Sequence, residues 1–105
     1  MEGKRSIATL KGQLSAPFKH VVVGQVDDYC AYLTRMEGAY LLHQHPKDEM
    51  YMVLEGEITI EYADGHMVTL GAGESLVVRA GERHRSRSEG GAVVLMFKAK
   101  DLFAE

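Results

Sequence analysis

One stretch of the sequence, GAYLLHQHPKDEMYMVLEG at Gly38–Gly56, decides the interpretation of the whole chain. It places two histidines, His43 and His45, two residues apart. On a β-strand their side chains point to the same face, with the Cα atoms about 6.5–7 Å apart. Two imidazoles at that spacing can bind one metal ion, each at about 2.1 Å. Pro46 has no N–H and ends the strand, so the chain turns and brings Glu49 beside the pair.

Glycine and acidic turn residues interrupt the rest of the chain at intervals of roughly 8–12 residues, which predicts an all-β sandwich or barrel with little room for helices. The clearest hairpin joins Glu57–Ala63 to His66–Leu70 through Asp64-Gly65. We expect a type I′ turn there, with two positive φ angles. Three further stretches are interpreted as separate short strands: Ser75–Val78, Arg83–Ser88 and Ala92–Lys98.

Length and composition indicate one small globular domain. The chain has 105 residues, so we expect a single domain over residues 1–105, with the barrel at about residues 20–99. A net charge of −3 excludes a protein built to lie along nucleic acid or an anionic membrane. The single cysteine, Cys30, excludes an intramolecular disulfide and favours a reduced, cytoplasmic protein. Neither a signal peptide nor an apolar run of about 20 residues is recognisable.

A second stretch, GESLVVRAGERH at Gly73–His84, supplies a third imidazole. Together the two stretches resemble the two sequence motifs of the cupin superfamily. The first motif is His-X-His, three or four residues, Glu, six residues and Gly, and the second is Gly, five residues, Pro-X-Gly, two residues, His, three residues and Asn. The positions that fit these motifs are His43, His45, Glu49, Gly56, Gly73, Gly81 and His84.

The resemblance implies a cupin-type jelly-roll barrel of antiparallel strands, also called a double-stranded β-helix, with one metal ion inside. It implies the ligands His43, His45, Glu49 and His84. Imidazoles and a carboxylate without a thiolate suit a divalent transition metal, namely Fe, Mn, Ni, Cu or Zn. The remaining histidines, His20 and His66, have no ligand spacing around them, and we interpret them as ordinary core or surface residues.

The chain departs from the family pattern at three places. Gly38 lies one residue closer to His43 than is usual, Arg79 occupies the proline position, and Ser88 replaces the asparagine. None of these changes removes a ligand. Arg79 and Arg83 flank the turn before His84, where they could hold an anionic substrate such as a carboxylate.

Strand alternation assigns the neighbours of the ligands to two faces. Tyr51 and Val53 share the inward parity of Glu49, and the Tyr51 hydroxyl is a weak candidate for catalysis. The residues expected to face outward are Tyr40, Leu42, Met50, Met52 and Leu54. An apolar exterior of that size predicts a homodimer.

Two classes of function remain open. The first is a metal-dependent enzyme acting on a small polar molecule, with dioxygenase-type chemistry favoured over isomerase or lyase chemistry. The second is a non-catalytic module that binds a sugar or another small molecule. The fold alone does not choose between them.

Overall fold

The computed structural model describes residues 3–100, and strands make up most of this part of the chain. The strands form one antiparallel sheet in the order β1-β2-β6-β3-β4, and β5 also pairs with β3. This arrangement confirms the all-β prediction. The elements are α1 (Ile7–Lys11), β1 (His20–Val26), β2 (Tyr29–Ala39), β3 (Glu49–Tyr62), β4 (Met67–Gly71), β5 (Ser75–Val78) and β6 (His84–Ala99).

Most of the pairing involves two long strands, β3 and β6. Glycines that the sequence analysis interpreted as strand ends are bends inside these continuous strands. β6 runs unbroken for 16 residues, so the prediction of two separate strands, Arg83–Ser88 and Ala92–Lys98, is wrong. β3 likewise continues through Gly56, which has a φ of 80°. The register of β3 against β6 shifts on both sides of that glycine, as in a β-bulge. A single strand thereby contributes to both halves of the barrel.

The predicted hairpin is confirmed, but its turn is of a different type. β3 and β4 pair directly, with Glu61 opposite Met67. Gly65 has a φ of 100°, whereas Asp64 is not among the residues with positive φ. The N–H of Gly65 donates to the carbonyl of Tyr62 at 2.9 Å. The type I′ prediction is therefore wrong, since that turn needs positive φ at both central residues.

Apolar residues are buried on both sides of the sheet. The main cluster fills the barrel and consists of Met36, Tyr51, Val53, Ile58, Ile60, Leu70, Val78, Ala92, Val94 and Met96. A smaller cluster lies outside, where Leu10 and Leu14 from the N-terminal segment pack on Leu33 of β2. Within residues 3–100, no helix is long and apolar enough to cross a membrane.

Candidate metal centre

The first and third predicted histidine ligands are joined through their backbones. His43 follows the end of β2 and forms an isolated bridge with His84, the first residue of β6. The His43 N–H donates to the His84 carbonyl at 2.9 Å, and the reverse bond measures 2.8 Å. The ring centroids lie 4.5 Å apart. This bridge brings together two motifs that are about 40 residues apart in the sequence.

Backbone carbonyls fix the orientation of both rings. Nδ1 of His43 donates to the carbonyl of Leu41 at 2.8 Å. Nδ1 of His84 donates to the carbonyl of Glu82, also at 2.8 Å. Such bonds select the tautomer and leave Nε2 as the metal-binding atom of each imidazole.

Glu49 occupies the middle of the cluster, with only 2% of its surface exposed. Its Oε1 lies 2.8 Å from Nε2 of His84 and accepts a hydrogen bond from the Tyr51 hydroxyl at 3.1 Å. Its Oε2 lies 3.5 Å from Nε2 of His45 and 3.7 Å from Nζ of Lys98. Among the residues described, Oε2 accepts no hydrogen bond although it is fully buried.

Burial and charge act against each other at these groups. Burial would raise the pKa of the Glu49 carboxyl, but the hydrogen bond from His84 and the charge of Lys98 outweigh it and hold this pKa below 4.5. Burial would lower the pKa of His84, but the bonds to Glu49 and to the Glu82 carbonyl raise it above 6.5. Both shifts favour the charged forms, so the metal-free site favours an ion pair between His84 and Glu49.

His43 and Tyr51 differ from that pair. Burial lowers the pKa of His43, which keeps its imidazole neutral and ready to bind a cation. Burial also raises the pKa of Tyr51 well above 10, so its phenol stays protonated and acts as a donor.

The donor set fits a transition-metal ion. One ligand atom each from His43, His45 and Glu49 lies within 4.8 Å of the other two. Ligands at about 2.1 Å from one ion are separated by roughly 3–4 Å, so a small contraction suffices. His84 is outside this group of three but touches it through Glu49. His84 and Glu49 would hold a metal ion together with His43 and His45, and the ion would supply the positive charge that a proton provides in its absence.

A cavity of about 360 Å³ opens beside the histidines. Its wall includes His43, His45 and Tyr51, and also Tyr40 and Leu42. Tyr40 and Leu42 were predicted to face outward; they are 41% and 40% exposed, but they line this cavity and not the outer face of a strand. The physical reason is that β2 ends at Ala39, so strand alternation does not apply to the following loop. The alternation does hold on β3, where Glu49, Tyr51 and Val53 are buried.

Two cavity residues were not among the site residues predicted from the sequence. His20 of β1 and Lys98 of β6 both line the cavity. The signal for Lys98 was present, because it continues the inward series of Ala92, Val94 and Met96 along β6. His20 gave no such signal, since its place in the wall depends on how β1 packs against the rest of the sheet.

The other candidates lie on the surface. Arg79 pairs with Asp48 at 3.0 Å and Arg83 is exposed, and neither lines the cavity. Their role in substrate binding stays a prediction. His66 stacks on Tyr62 and contacts Asp64 in the hairpin, outside the group of possible ligands.

Comparison with protein families identifies this barrel. The family model described as Cupin domain matches residues 34–98, which is more than half of the chain. The chain belongs to the cupin family. The matched region contains all four residues of the predicted ligand set. A relative, the uncharacterized protein YdbB of Bacillus subtilis, is 32% identical over 89 residues, covering 84% of this chain and 79% of YdbB.

Solved structures agree on the fold. A cupin-2 domain protein from Shewanella frigidimarina matches with a TM-score of 0.87 at 24% identity, covering 91% of this cupin and 94% of that chain. Hydroquinone 1,2-dioxygenase PnpCD, solved with Cd²⁺, matches with a TM-score of 0.75 at 23% identity, covering 86% of this cupin and 69% of the PnpCD chain. The DMSP lyase DddQ from Ruegeria pomeroyi matches with a TM-score of 0.69 at 27% identity, covering 82% of this cupin and 48% of the DddQ chain.

Proposed function

We propose that this cupin binds one divalent transition metal ion through His43, His45, Glu49 and His84, and that it is a metal-dependent enzyme acting on a small polar molecule. The observation that carries the proposal is the buried Glu49 carboxylate, which lies within reach of His45 and His84 and has one oxygen that accepts no hydrogen bond. A set of nitrogen and oxygen donors suits Fe, Mn, Ni, Cu or Zn.

Within this proposal we favour dioxygenase-type chemistry. The metal would supply a Lewis acid for a chelating oxygen donor and, if it is redox-active, a partner for O₂. The protein orients the ligand rings through the carbonyls of Leu41 and Glu82, and the cavity holds the organic substrate beside them. The Tyr51 phenol, a weak catalytic candidate, donates to Glu49 and steadies that carboxylate. The likeness to PnpCD concerns the fold, which places dioxygenases among the enzymes this barrel can host.

Two other functions compete with this one. Lyase or isomerase chemistry needs only the Lewis acid, and the likeness to the lyase DddQ supports it. A non-catalytic binding module needs no acid–base group; within residues 3–100, the groups beside the ligand set that could act as acid or base include the Tyr51 phenol and the Lys98 ammonium. Oxygen uptake by the iron-loaded protein with chelating enols or diketones separates the first function from both.

The metal proposal is tested by elemental analysis of protein purified without added metal. We expect close to one transition-metal ion per chain, and a sharp loss in a His43→Ala, His84→Ala double variant. His66→Ala is the matched control, because His66 lies in the hairpin and outside the cluster. Equal metal content in the wild type and the double variant would contradict the proposal.

We also propose that the protein works in the cytoplasm as a homodimer and contacts neither nucleic acid nor membrane. Cys30 is a free, buried thiol, as suits a reducing compartment. Support for the dimer comes from the outer face of the sheet, where Met50 and Met52 remain half-exposed and Val77 beside them is exposed.

A further inference from the structure

The cavity beside the metal centre has an uneven distribution of charge. Its wall is mainly apolar and aromatic, with the side chains of Phe18, Met36, Tyr40 and Met96 among its members. Among the residues described in that wall, Lys98 alone carries a permanent charge. Pockets of this kind bind the apolar body of a ligand broadly and use a few polar groups to fix its orientation.

Lys98 is held inside the barrel by its strand. It lies on the inward side of β6, directly between Cys30 of β2 and Glu49 of β3 in the sheet register. Only 7% of its surface is exposed. Its Nζ is 3.7 Å from Oε2 of Glu49, so the ammonium lies next to the metal centre. A buried lysine is uncommon, and its desolvation cost has to be offset by charges around it.

Two polar groups accompany this ammonium in the wall. Thr34 pairs with His20 across β1 and β2, and both residues line the cavity. The Thr34 hydroxyl is buried and has no hydrogen-bond partner within residues 3–100. Burial, and next the nearby charge of Lys98, lower the pKa of His20, which places the two groups in one electrostatic environment. An unbonded buried hydroxyl is costly, and a ligand oxygen could satisfy it.

We propose that the cavity binds a small organic anion, a carboxylate on a compact apolar or aromatic body, with the anionic group on Lys98 and the body against Phe18, Met36 and Met96. The inference rests on the proposed function only in placing that anion beside a metal. The anion preference itself depends on Lys98. This assignment differs from the earlier expectation that Arg79 and Arg83 bind the substrate, because Lys98 lines the cavity and they do not.

The test uses benzoate, with benzamide as its neutral counterpart of the same shape. Each is titrated into metal-free protein that carries ¹³C-labelled methionine methyl groups. We expect saturable shifts of the Met36 and Met96 methyl signals, while Met67, on β4 and 58% exposed, stays unchanged. A charge-assisted hydrogen bond predicts that benzoate binds about 10-fold or more tightly than benzamide. Equal affinity of the two probes in the wild type would overturn the proposal.

Variants then assign the preference to Lys98. Lys98→Gln should reduce the benzoate preference to about one, whereas Lys98→Arg should retain it. Lys98→Met, of similar length and apolar, serves the same purpose if the glutamine variant does not fold. Lys100→Gln is the matched control, because Lys100 pairs with Asp28 on the surface. An undiminished preference in the folded Lys98 variants would also overturn the proposal.

The metal-free titration separates this inference from the proposed function. Benzoate selectivity that depends on Lys98 supports the anion site even if elemental analysis finds no metal. A protein that binds metal but does not distinguish benzoate from benzamide retains its metal centre and loses the anion site.

Discussion

Glu49 is the residue on which the interactions of the candidate site converge. One of its oxygens contacts His84 and Tyr51, and the other faces His45 and Lys98. A carboxylate buried among so many donors stays ionised, because those groups together outweigh the cost of removing it from water. The metal-free site is therefore already arranged around the negative charge of the Glu49 carboxylate, which favours the binding of a cation.

We expect the Tyr51 hydroxyl to contribute measurably to the free energy of unfolding. It lies 3.1 Å from Oε1 of Glu49 and 3.2 Å from Nε2 of His84, and the residue is 2% exposed. Tyr51→Phe removes a buried bond to a charged acceptor, so we expect a loss of about 1.5–3 kcal/mol in the free energy of unfolding. Urea denaturation of metal-free protein measures it. Tyr29→Phe, at an exposed tyrosine, should change stability by less than about 0.5 kcal/mol.

One outcome would count against this role of Tyr51. A Tyr51→Phe effect no larger than that of Tyr29→Phe would mean that the hydroxyl does not support the site.

The candidate ligands could be predicted from the sequence, whereas the cavity could not. His43, His45 and Glu49 lie within seven residues, so their close approach is local in the chain, although the two histidines lie in the loop after β2 and not on a strand. The cavity wall instead combines segments far apart in the chain, such as His20 and Lys98. No local pattern reports that those two residues meet, because the packing of whole strands decides it.

At the scale of elements, glycines inside β3 and β6 bend these strands, whereas the sequence predicted that the strands end there. Gly56 and Gly91 have φ values of 80° and 86°, and each lies inside a long strand. A Cβ built at Gly56 would come within 2.3 Å of the Gly91 carbonyl oxygen. The two glycines therefore let β3 and β6 bend together at one point. Sequence shows that a glycine relaxes the backbone, but it does not show whether the strand ends or bends there.

Gly56→Ala should be far more harmful than Gly38→Ala. Both glycines have nearly the same positive φ, but a Cβ at Gly38 meets nothing within 4 Å. We expect about 1–2 kcal/mol of destabilisation at Gly38 from backbone strain alone. At Gly56 the collision with β6 adds about 1–3 kcal/mol more. Urea denaturation of the two variants compares them directly, and equal destabilisation would refute the close approach of β3 to β6.

The pairing of β3 with β6 also predicts a pH-dependent contribution to stability. Burial would raise the pKa of Glu61, but hydrogen bonds and charge from Arg85 and Arg87 outweigh it and lower this pKa below 4.5. A lowered carboxyl pKa stabilises the fold above 4.5, and the contribution is lost as pH falls through the folded value. Glu61→Gln should therefore lower the melting temperature at neutral pH.

The same comparison in acid tests the cause. Near pH 3 the difference between wild type and Glu61→Gln should shrink, and at neutral pH about 1 M salt should also reduce it by screening. Glu57→Gln, at an exposed carboxylate on the same strand, provides the control. A difference that stays constant from pH 7 to pH 3 would show that packing, rather than charge, is responsible.

At the scale of the whole molecule, the N-terminal segment packs on part of the outer face of the sheet. Leu10 and Leu14 cover Leu33 and pack against Leu54 and Val93. The prediction that Leu54 belongs to a free outer surface thus holds for its parity but not for its surroundings. Sequence patterns did not reveal this cover, because α1 has only five residues. Within residues 3–100, the rest of this face is a half-buried to exposed apolar surface beside β5, formed by Met50, Met52, Val77, Leu95 and Phe97.

This remaining face predicts the homodimer and provides its test. Full burial of one exposed apolar side chain contributes roughly 1.5–3 kcal/mol, and a dimer would gain the share that corresponds to the surface still exposed on these residues, less the cost of association. Light scattering should therefore report about twice the chain mass of 11.6 kDa. Val77→Glu introduces a charge at a residue 40% exposed on this face and should yield monomers. Met67→Glu, on β4 beside Glu61, should leave the dimer intact. A wild-type protein that stays monomeric at high micromolar concentration would show that the face serves no self-association.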